Sequence, residues 1–159
     1  MSGTDRTPTM TNNTTPSPYV ASASTDSGAG TEAYHAFDKV DSQWVASTTT
    51  GYLKLDFGSA LWASDEYRIE PQSTTRAPKD WTFAGSNDDA AYTTIDTQTS
   101  ITTWVTGTPK IFTFSNTTKY RYYKLTITAN NGDGSNLEID EMNIYAPDDA
   151  AGGFFFISS

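Results

Sequence analysis

The chain has 159 residues, a formal net charge of -9 and no cysteine. This length suits one domain with a sizeable core, and the lack of cysteine excludes a disulfide framework, a zinc–thiolate site and a thiol nucleophile. The negative charge disfavours nucleic acid and anionic membranes as partners, and no apolar run approaches the roughly 20 residues that span a bilayer, so no membrane insertion is expected.

The chain begins with a predicted extended arm, residues 1–18, composed largely of Thr, Ser, Pro and Asn. The arm has little to bury, so alone it is expected to be disordered, and a neighbouring subunit is the simplest means of ordering it. Residues 148–159 form a tail in which Phe154 to Phe156 follow an Ala-Gly-Gly link. Exposed phenylalanines favour docking, either back on the sandwich or on a partner, and the glycine link favours the partner. Both arms are therefore interpreted as contacts for other virion or surface proteins.

The region between the arms, residues 19–147, is predicted to be one antiparallel β-sandwich. Short alternating segments are separated by turn residues, and 13% of the chain is aromatic, which favours strands over helices. The expected strands are residues 52–57, 66–70, 81–83, 92–95, 102–105 and 111–114, followed by two more within 120–145. This pattern is typical of an all-β jelly roll.

The run from Tyr120 to Tyr145 predicts two long strands joined by a polar loop. One face of the first strand is expected to enter the core through Tyr123, Leu125 and Ile127. Along the second strand the apolar alternation slips, which predicts a β-bulge near Asp140 and Glu141 that re-aims a carboxylate.

Four ordered motifs carry a family resemblance. They are Ala36-Phe37-Asp38 leading to Trp44, then Asp56-Phe57-Gly58, then Arg76 to Trp81 with Gly85 to Asp88, and then Tyr122 to Leu125. Together they resemble the discoidin family (the coagulation factor 5/8 type C domain), close to the family 32 carbohydrate-binding modules, over about residues 19–145. The resemblance implies an eight-stranded antiparallel jelly-roll β-sandwich that is non-catalytic and binds ligands through loops at one end. In bacterial members of the family these ligands are commonly galactosides, amino sugars or other glycans, and in animal members they are phospholipids or proteins.

The resemblance also implies a structural calcium ion, held by the loop after the Ala-Phe-Asp motif and by a glutamate on the last strand. The corresponding residues here are Asp38, Asp41, Ser42 and Glu141, with backbone carbonyls completing the oxygen shell. The loop is about one residue shorter than the commonest family pattern, and Lys39 replaces the usual glycine. The alternative is that these acids only cap a turn.

Sugar recognition needs an aromatic platform and forked hydrogen-bonding groups. Arg76 resembles an arginine that some family members use against sugar hydroxyls, and Asn130 and Asn131 open the last polar loop. The alternatives are a surface ion pair for the arginine and plain turn formation for the asparagines. The tryptophans of the family motifs, Trp44 and Trp81, are expected in the core. The candidate stacking residues are Trp62, Tyr92 and Trp104, with Trp62 taken as the ligand-binding prediction.

Catalysis is not expected, because His35 is the only histidine and no nucleophile-elbow sequence accompanies it. Two function classes remain. In the first, the chain is a carbohydrate-binding module on the surface or tail of a bacteriophage virion, or otherwise extracellular, that binds host or environmental glycans. In the second, it is a purely structural virion decoration or attachment subunit that uses the sandwich as a protein–protein scaffold.

Overall fold

A computed structural model describes residues 3–148, which form eleven antiparallel strands and one short 3-10 helix. The strands are β1 (Thr4–Asp5), β2 (Val20–Ala23), β3 (Trp44–Ala46), β4 (Gly51–Asp56), β5 (Glu66–Glu70), β6 (Pro78–Ser86), β7 (Thr93–Gln98), β8 (Lys110–Thr113), β9 (Tyr122–Asn130), β10 (Leu137–Ile139) and β11 (Glu141–Ala146), and the helix is Ala33–Phe37. The expected all-β class is confirmed. The strand count exceeds eight because short edge strands and a split last strand are added.

Two main sheets form the sandwich, with strand orders β2-β4-β9-β6-β7 and β1-β11-β5-β8, while β3 and β10 pair separately. The core lies between the sheets, where the ring centroids of Tyr67 on β5 and Phe83 on β6 are 4.4 Å apart. Apolar alternation places one face of β9 and of β11 inside, as the sequence predicts for β9. The predicted core residues Tyr123, Leu125, Ile127, Trp44 and Trp81 are all buried.

The phase slip after β10 marks a change of sheet rather than a bulge. Ile139 ends β10 opposite Trp44, whereas Glu141 begins β11 opposite Glu70. Asp140 lies between the strands, and its N–H donates to the carbonyl of Glu70 at 2.9 Å. The prediction of a continuous second strand is therefore wrong, because each half finds its partner in a different sheet.

The arm that was expected to be disordered alone packs on its own chain. β1 pairs with Tyr145 and Ala146 of β11, extending that sheet by one strand. Met10 is 1% exposed, and its N–H donates to the carbonyl of Phe37 at 2.9 Å. One buried methionine and paired backbone groups compensate for the polar composition of the arm. Attachment through this arm stays a prediction, and Phe154 to Phe156 lie outside the described residues.

One end of the sandwich, called the loop end below, gathers the polar connections. Gly51 opens β4 opposite Ile127, and Pro78 opens β6 opposite Asn130, so both strands start where β9 finishes. Residues 24–32, 47–50, 71–77, 99–109 and 131–136 therefore meet at this end. In the described part of the chain, no helix has the length and apolar character needed to cross a membrane.

Candidate functional site

Arg76 lies at the loop end between two carboxylates. Its Nε is 3.5 Å from Asp133 Oδ2, and one terminal nitrogen is 3.5 Å from Glu138 Oε2. The Arg76 side chain is 41% exposed, whereas that of Glu138 is 4% exposed. A backbone hydrogen bond of 3.0 Å from Glu138 N–H to the Arg76 carbonyl holds the two segments side by side. The two carboxylates thus hold the guanidinium in place, and part of the Arg76 side chain remains exposed to solvent.

The electrostatics of this cluster follow from burial. Burial raises the pKa of Glu138, while the Ser73 N–H and the Arg76 charge oppose that rise. Backbone N–H groups of Asn136 and Ser135 lower the pKa of Asp133, and Arg76 adds to that effect. Asp133 is therefore anionic at neutral pH, and the arginine compensates the more deeply buried Glu138.

Asn130 and Asn131 hold loops together at the same end. Asn131 Nδ2 donates to the carbonyl of Thr74 at 2.9 Å, which ties the loop after β9 to the loop before β6. Asn130 Nδ2 donates to the carbonyls of Asp133 and Asn136 and so closes its own turn. Turn and loop fixation therefore occupies both amide nitrogens. The structure does bring both residues close to Arg76, and their contact with a glycan stays a prediction.

The predicted stacking residue lies elsewhere. Trp62 forms an isolated β-bridge with Tyr120 at the opposite end of the sandwich. The guanidinium carbon of Arg6 lies 4.2 Å from the centroid of the Trp62 ring. A sugar held by Arg76 would therefore not reach Trp62. Trp104 is buried and donates its indole N–H to the carbonyl of Pro78 at 2.8 Å. Its segment, 102–105, was expected to be a strand and is irregular instead.

Sequence reasoning missed Asp133 and Glu138. Asp133 belongs to the Asn-Asn-Gly-Asp-Gly run of the last polar loop, in which only the two asparagines were predicted to bind a ligand. Glu138 stands between Leu137 and Ile139, and a charged residue between two apolar neighbours in a buried strand was an available signal. Its buried carboxylate implies a cationic partner, which proves to be Arg76.

The predicted metal loop is partly assembled. Asp38 is buried, and its Oδ2 lies 3.0 Å from His35 Nδ1 and accepts the Ser42 hydroxyl at 2.5 Å. Glu141 reaches the same loop, since its Oε2 accepts the Lys39 N–H at 3.0 Å. Asp41 instead accepts the Gln72 amide at 3.2 Å. Asp38, Ser42 and Glu141 therefore contact one another or the loop backbone, whereas the Asp41 side chain bonds to Gln72 instead of to these residues.

Lys39 explains how this loop differs from the family pattern. It adopts φ 60°, the left-handed region that glycine occupies without strain. A glycine, which the family resemblance leads us to expect here, would adopt this conformation without the Cβ penalty. The ammonium group of Lys39 lies 3.0 Å from Asp5 of the arm, and its charge also lowers the pKa of Glu141.

Carboxyl groups crowd this region, and the charge of Lys39 offsets them only in part. Burial raises the pKa of Glu141 to about 8, and Asp38 contributes to the rise. Burial and then the nearby charge of Asp41 raise the pKa of Asp140 to about 6. Such donors suit a hard cation. However, within residues 3–148 no three acidic or histidine side chains are grouped closely enough to hold a metal, so backbone carbonyls and Ser42 would have to complete the shell.

The contacts of His35 do not form a hydrolytic triad. Asp38 and Ser42 both meet the same ring nitrogen, Nδ1, at 3.0 and 2.8 Å. A triad needs the carboxylate on Nδ1 and the nucleophile on Nε2. Here Nε2 faces Glu32 at 3.4 Å, so Ser42 is not activated as a nucleophile by this arrangement.

A cavity of about 500 Å³, called the acidic pocket below, opens beside the metal loop. It lies where β5 ends and β11 begins. Its polar lining includes Asp41, Glu70, Gln72, Asp140, Glu141 and Asn143. Glu70 and Glu141 are direct partners across the two strands, an unfavourable pairing of like charges.

The fold and the polar loop end define a β-sandwich module with its candidate contacts on connecting loops. Residues 20–142 match the family described as the F5/8 type C domain, and the chain belongs to that family. The family expectation from the sequence is confirmed. A comparison with curated proteins gives no match.

Solved structures that share the fold include carbohydrate-binding modules. Chitosan-binding module 1 of a chitosanase/glucanase from Paenibacillus sp. IK-5 has a TM-score of 0.68 and 21% identity, covering 80% of this chain and 94% of its own. The family 32 module of Clostridium perfringens NanJ, in complex with galactose, has a TM-score of 0.66 and 20% identity, covering 80% and 93%. A module from the same organism in complex with GalNAc-beta-1,3-galactose has a TM-score of 0.66 and 19% identity, covering 80% and 95%. These TM-scores establish a shared fold.

Proposed function

We propose that the protein is a non-catalytic glycan-binding module that contacts its sugar at the loop end. The observation that carries this proposal is the half-exposed guanidinium of Arg76, fixed between Asp133 and Glu138. Family membership and the sugar complexes of modules with the same fold support it.

The chemistry of the cluster suits vicinal sugar hydroxyls. A guanidinium presents parallel N–H donors in a planar fork, and charge-assisted hydrogen bonds are stronger than neutral ones. Because Asp133 and Glu138 already hold the arginine, little side-chain entropy is lost when a ligand binds. Asn131 lies on the adjoining loop and would add a further polar contact.

Calcium belongs to the same proposal as a structural ion. Asp38, Ser42 and Glu141 would hold it with backbone carbonyls, and Asp41 would join them after leaving Gln72. A bound cation would neutralise the carboxylates and fix the loop. The ion would have no direct contact with the sugar at Arg76.

We place this activity outside the cell or on a phage particle, where glycans are accessible. The competing role is a purely structural virion subunit that uses the sandwich as a scaffold. That role requires assembly with other virion proteins and no sugar binding, so a binding assay distinguishes the two.

The test is a glycan array with calcium and with chelator, using wild type, Arg76→Lys and Arg121→Lys. Arg121 is a matched control, because it is 39% exposed and pairs with Asp56 at the opposite end. We expect Arg76→Lys to weaken sugar binding at least tenfold and Arg121→Lys to leave it unchanged, because lysine cannot present the fork. The absence of binding to every sugar in calcium would refute the proposal.

A further inference from the structure

The turn after β9 contains the only asparagine of the chain that is followed by glycine, Asn131-Gly132. Gly132 adopts φ 109°, a backbone conformation that favours glycine. Apart from its chain neighbours, no atom of the described residues lies within 4 Å of the position that a Cβ would occupy there. Because glycine has no Cβ, its backbone nitrogen is open to approach by the Asn131 side chain. The pair is therefore a candidate for a reaction between two of the chain's own groups.

The reaction that this pair supports is deamidation, and asparagine is one of the thermally labile residue types. The Gly132 nitrogen loses its proton to water or hydroxide and attacks Cγ of Asn131. The N–Cγ bond forms while the Cγ–Nδ2 bond breaks, and Nδ2 leaves as ammonia. Water then opens the resulting cyclic imide at either carbonyl and leaves aspartate or isoaspartate in place of Asn131. The net reaction consumes water and releases ammonia without any transfer of electrons.

In the folded turn both reacting groups are engaged with other partners. The Gly132 N–H donates to Asn130 Oδ1 at 3.1 Å. Asn131 Nδ2 donates to the carbonyls of Thr74 at 2.9 Å and Thr102 at 3.4 Å. Ring closure requires the Asn131 amide to leave these carbonyls and the Gly132 nitrogen to leave Asn130. The reaction therefore depends on local opening of the turn, which costs less free energy than global unfolding.

The same ring closure at the neighbouring Asp133-Gly134 pair is disfavoured by charge. Backbone N–H groups of Asn136 and Ser135 lower the pKa of Asp133, so its carboxyl group is ionised at neutral pH. A carboxylate is a poor target for a nucleophile, because its negative charge opposes the attack. The Asn131 amide is neutral, and Asn131 is therefore the more reactive of the two positions.

Conversion of Asn131 would weaken the contact between its loop and the loop before β6. A carboxylate has no N–H to donate, so its oxygens would oppose the carbonyl of Thr74 instead of binding it. The bond of 3.1 Å from Asp133 N–H to the Thr75 carbonyl joins the same two loops and would open more often as a result. Because Asp133 also holds Arg76, the guanidinium would lose part of its support.

We propose that Asn131 is a site of spontaneous deamidation, which the folded turn suppresses and whose product loosens the contact between these two loops. The inference goes beyond the proposed function, because it assigns a covalent modification with water as the co-reactant and does not depend on sugar binding. The reacting atoms belong neither to the acidic pocket nor to the predicted calcium set.

The first test is peptide mapping by mass spectrometry after wild type is incubated at mildly alkaline pH, both in buffer and in urea that unfolds it. In urea, we expect aspartate and isoaspartate to form faster at Asn131 than at Asn136, which lies in the same loop but precedes leucine. At Asn131, we expect conversion to be at least tenfold slower in the folded protein than in urea. Conversion in urea that is no faster at Asn131 than at Asn136 would overturn the site. Equal rates at Asn131 in buffer and in urea would overturn its suppression by the fold.

The second test is hydrogen exchange of the Asp133 amide in Asn131→Asp, which reproduces the aspartate product. Ser135→Asp is the matched control, because Ser135 is exposed on the same turn and this variant adds the same charge without removing the Asn131 amide. We expect exchange at least fivefold faster than wild type in Asn131→Asp and nearly unchanged in Ser135→Asp. Wild-type exchange in Asn131→Asp, or an equal increase in both variants, would overturn the loosening. Thermal melts check that both variants fold.

Discussion

Replacing Met10 by alanine should destabilise the sandwich, because this side chain anchors the N-terminal arm. Met10 is 1% exposed and belongs to the main hydrophobic core. Truncating a buried methionine to alanine costs about 2–5 kcal/mol through lost transfer energy and the remaining cavity. For a chain of this size that corresponds to a fall in melting temperature of roughly 4–20 °C.

The assay is urea unfolding followed by tryptophan fluorescence at several protein concentrations. Thr9→Ala is the matched control, because Thr9 is the exposed neighbour of Met10 and should change stability by less than about 0.5 kcal/mol. The Met10→Ala loss should not depend on protein concentration, since the contact lies within one chain. A loss below 0.5 kcal/mol, or one that appears only at high concentration, would refute the packing of this arm on its own sandwich.

The remaining predictions concern charged groups. Arg76→Ala should destabilise the protein by about 1–3 kcal/mol at pH 7, because it leaves Glu138 buried without its cation. In urea titrations this loss of stability should become smaller at acidic pH, where Glu138 is protonated. A loss that stays constant with pH would contradict the prediction. The pKa of Asp140 is raised from 3.8 to about 6. In the presence of chelator, the free energy of unfolding of wild type should therefore fall by up to about 3 kcal/mol relative to Asp140→Asn as the pH rises from about 4 through about 6. Parallel pH profiles of the two proteins would contradict this prediction. Calcium at a hundred times its dissociation constant should stabilise wild type by about 2.7 kcal/mol. It should not stabilise Asp38→Asn or Glu141→Gln. Identical melting curves of wild type with calcium and with chelator would exclude a bound calcium ion.

The long strands were predictable because their side chains alternate with the sheet period. β5 occupies the predicted residues, and β9 buries the predicted face. The short strands β1, β2 and β3 were missed, because two to four residues carry too little pattern. Their pairing is set by distant partners, as when β1 joins β11 from the other end of the chain. Such pairing has no local signature.

The candidate site was predictable only in part. Arg76 could be identified from its motif, but its partners could not, because Asp133 and Glu138 reach it through the turn after β9. Trp62 shows the converse limit, since sequence indicates an unassigned aromatic but not the end of the sandwich on which it lies. Asp140 owes its burial to the change of sheet, which follows from strand pairing rather than from local pattern.

The pairing of β1 with β11 also affects solubility. Without β1, the six residues of β11 would form an edge strand whose unpaired backbone groups could recruit the same edge of another molecule. β1 covers Tyr145 and Ala146 of that edge, and the bond of 2.8 Å from Arg6 N–H to the Ile144 carbonyl covers the next backbone position. The polar arm thus acts as a guard strand that disfavours edge-to-edge aggregation.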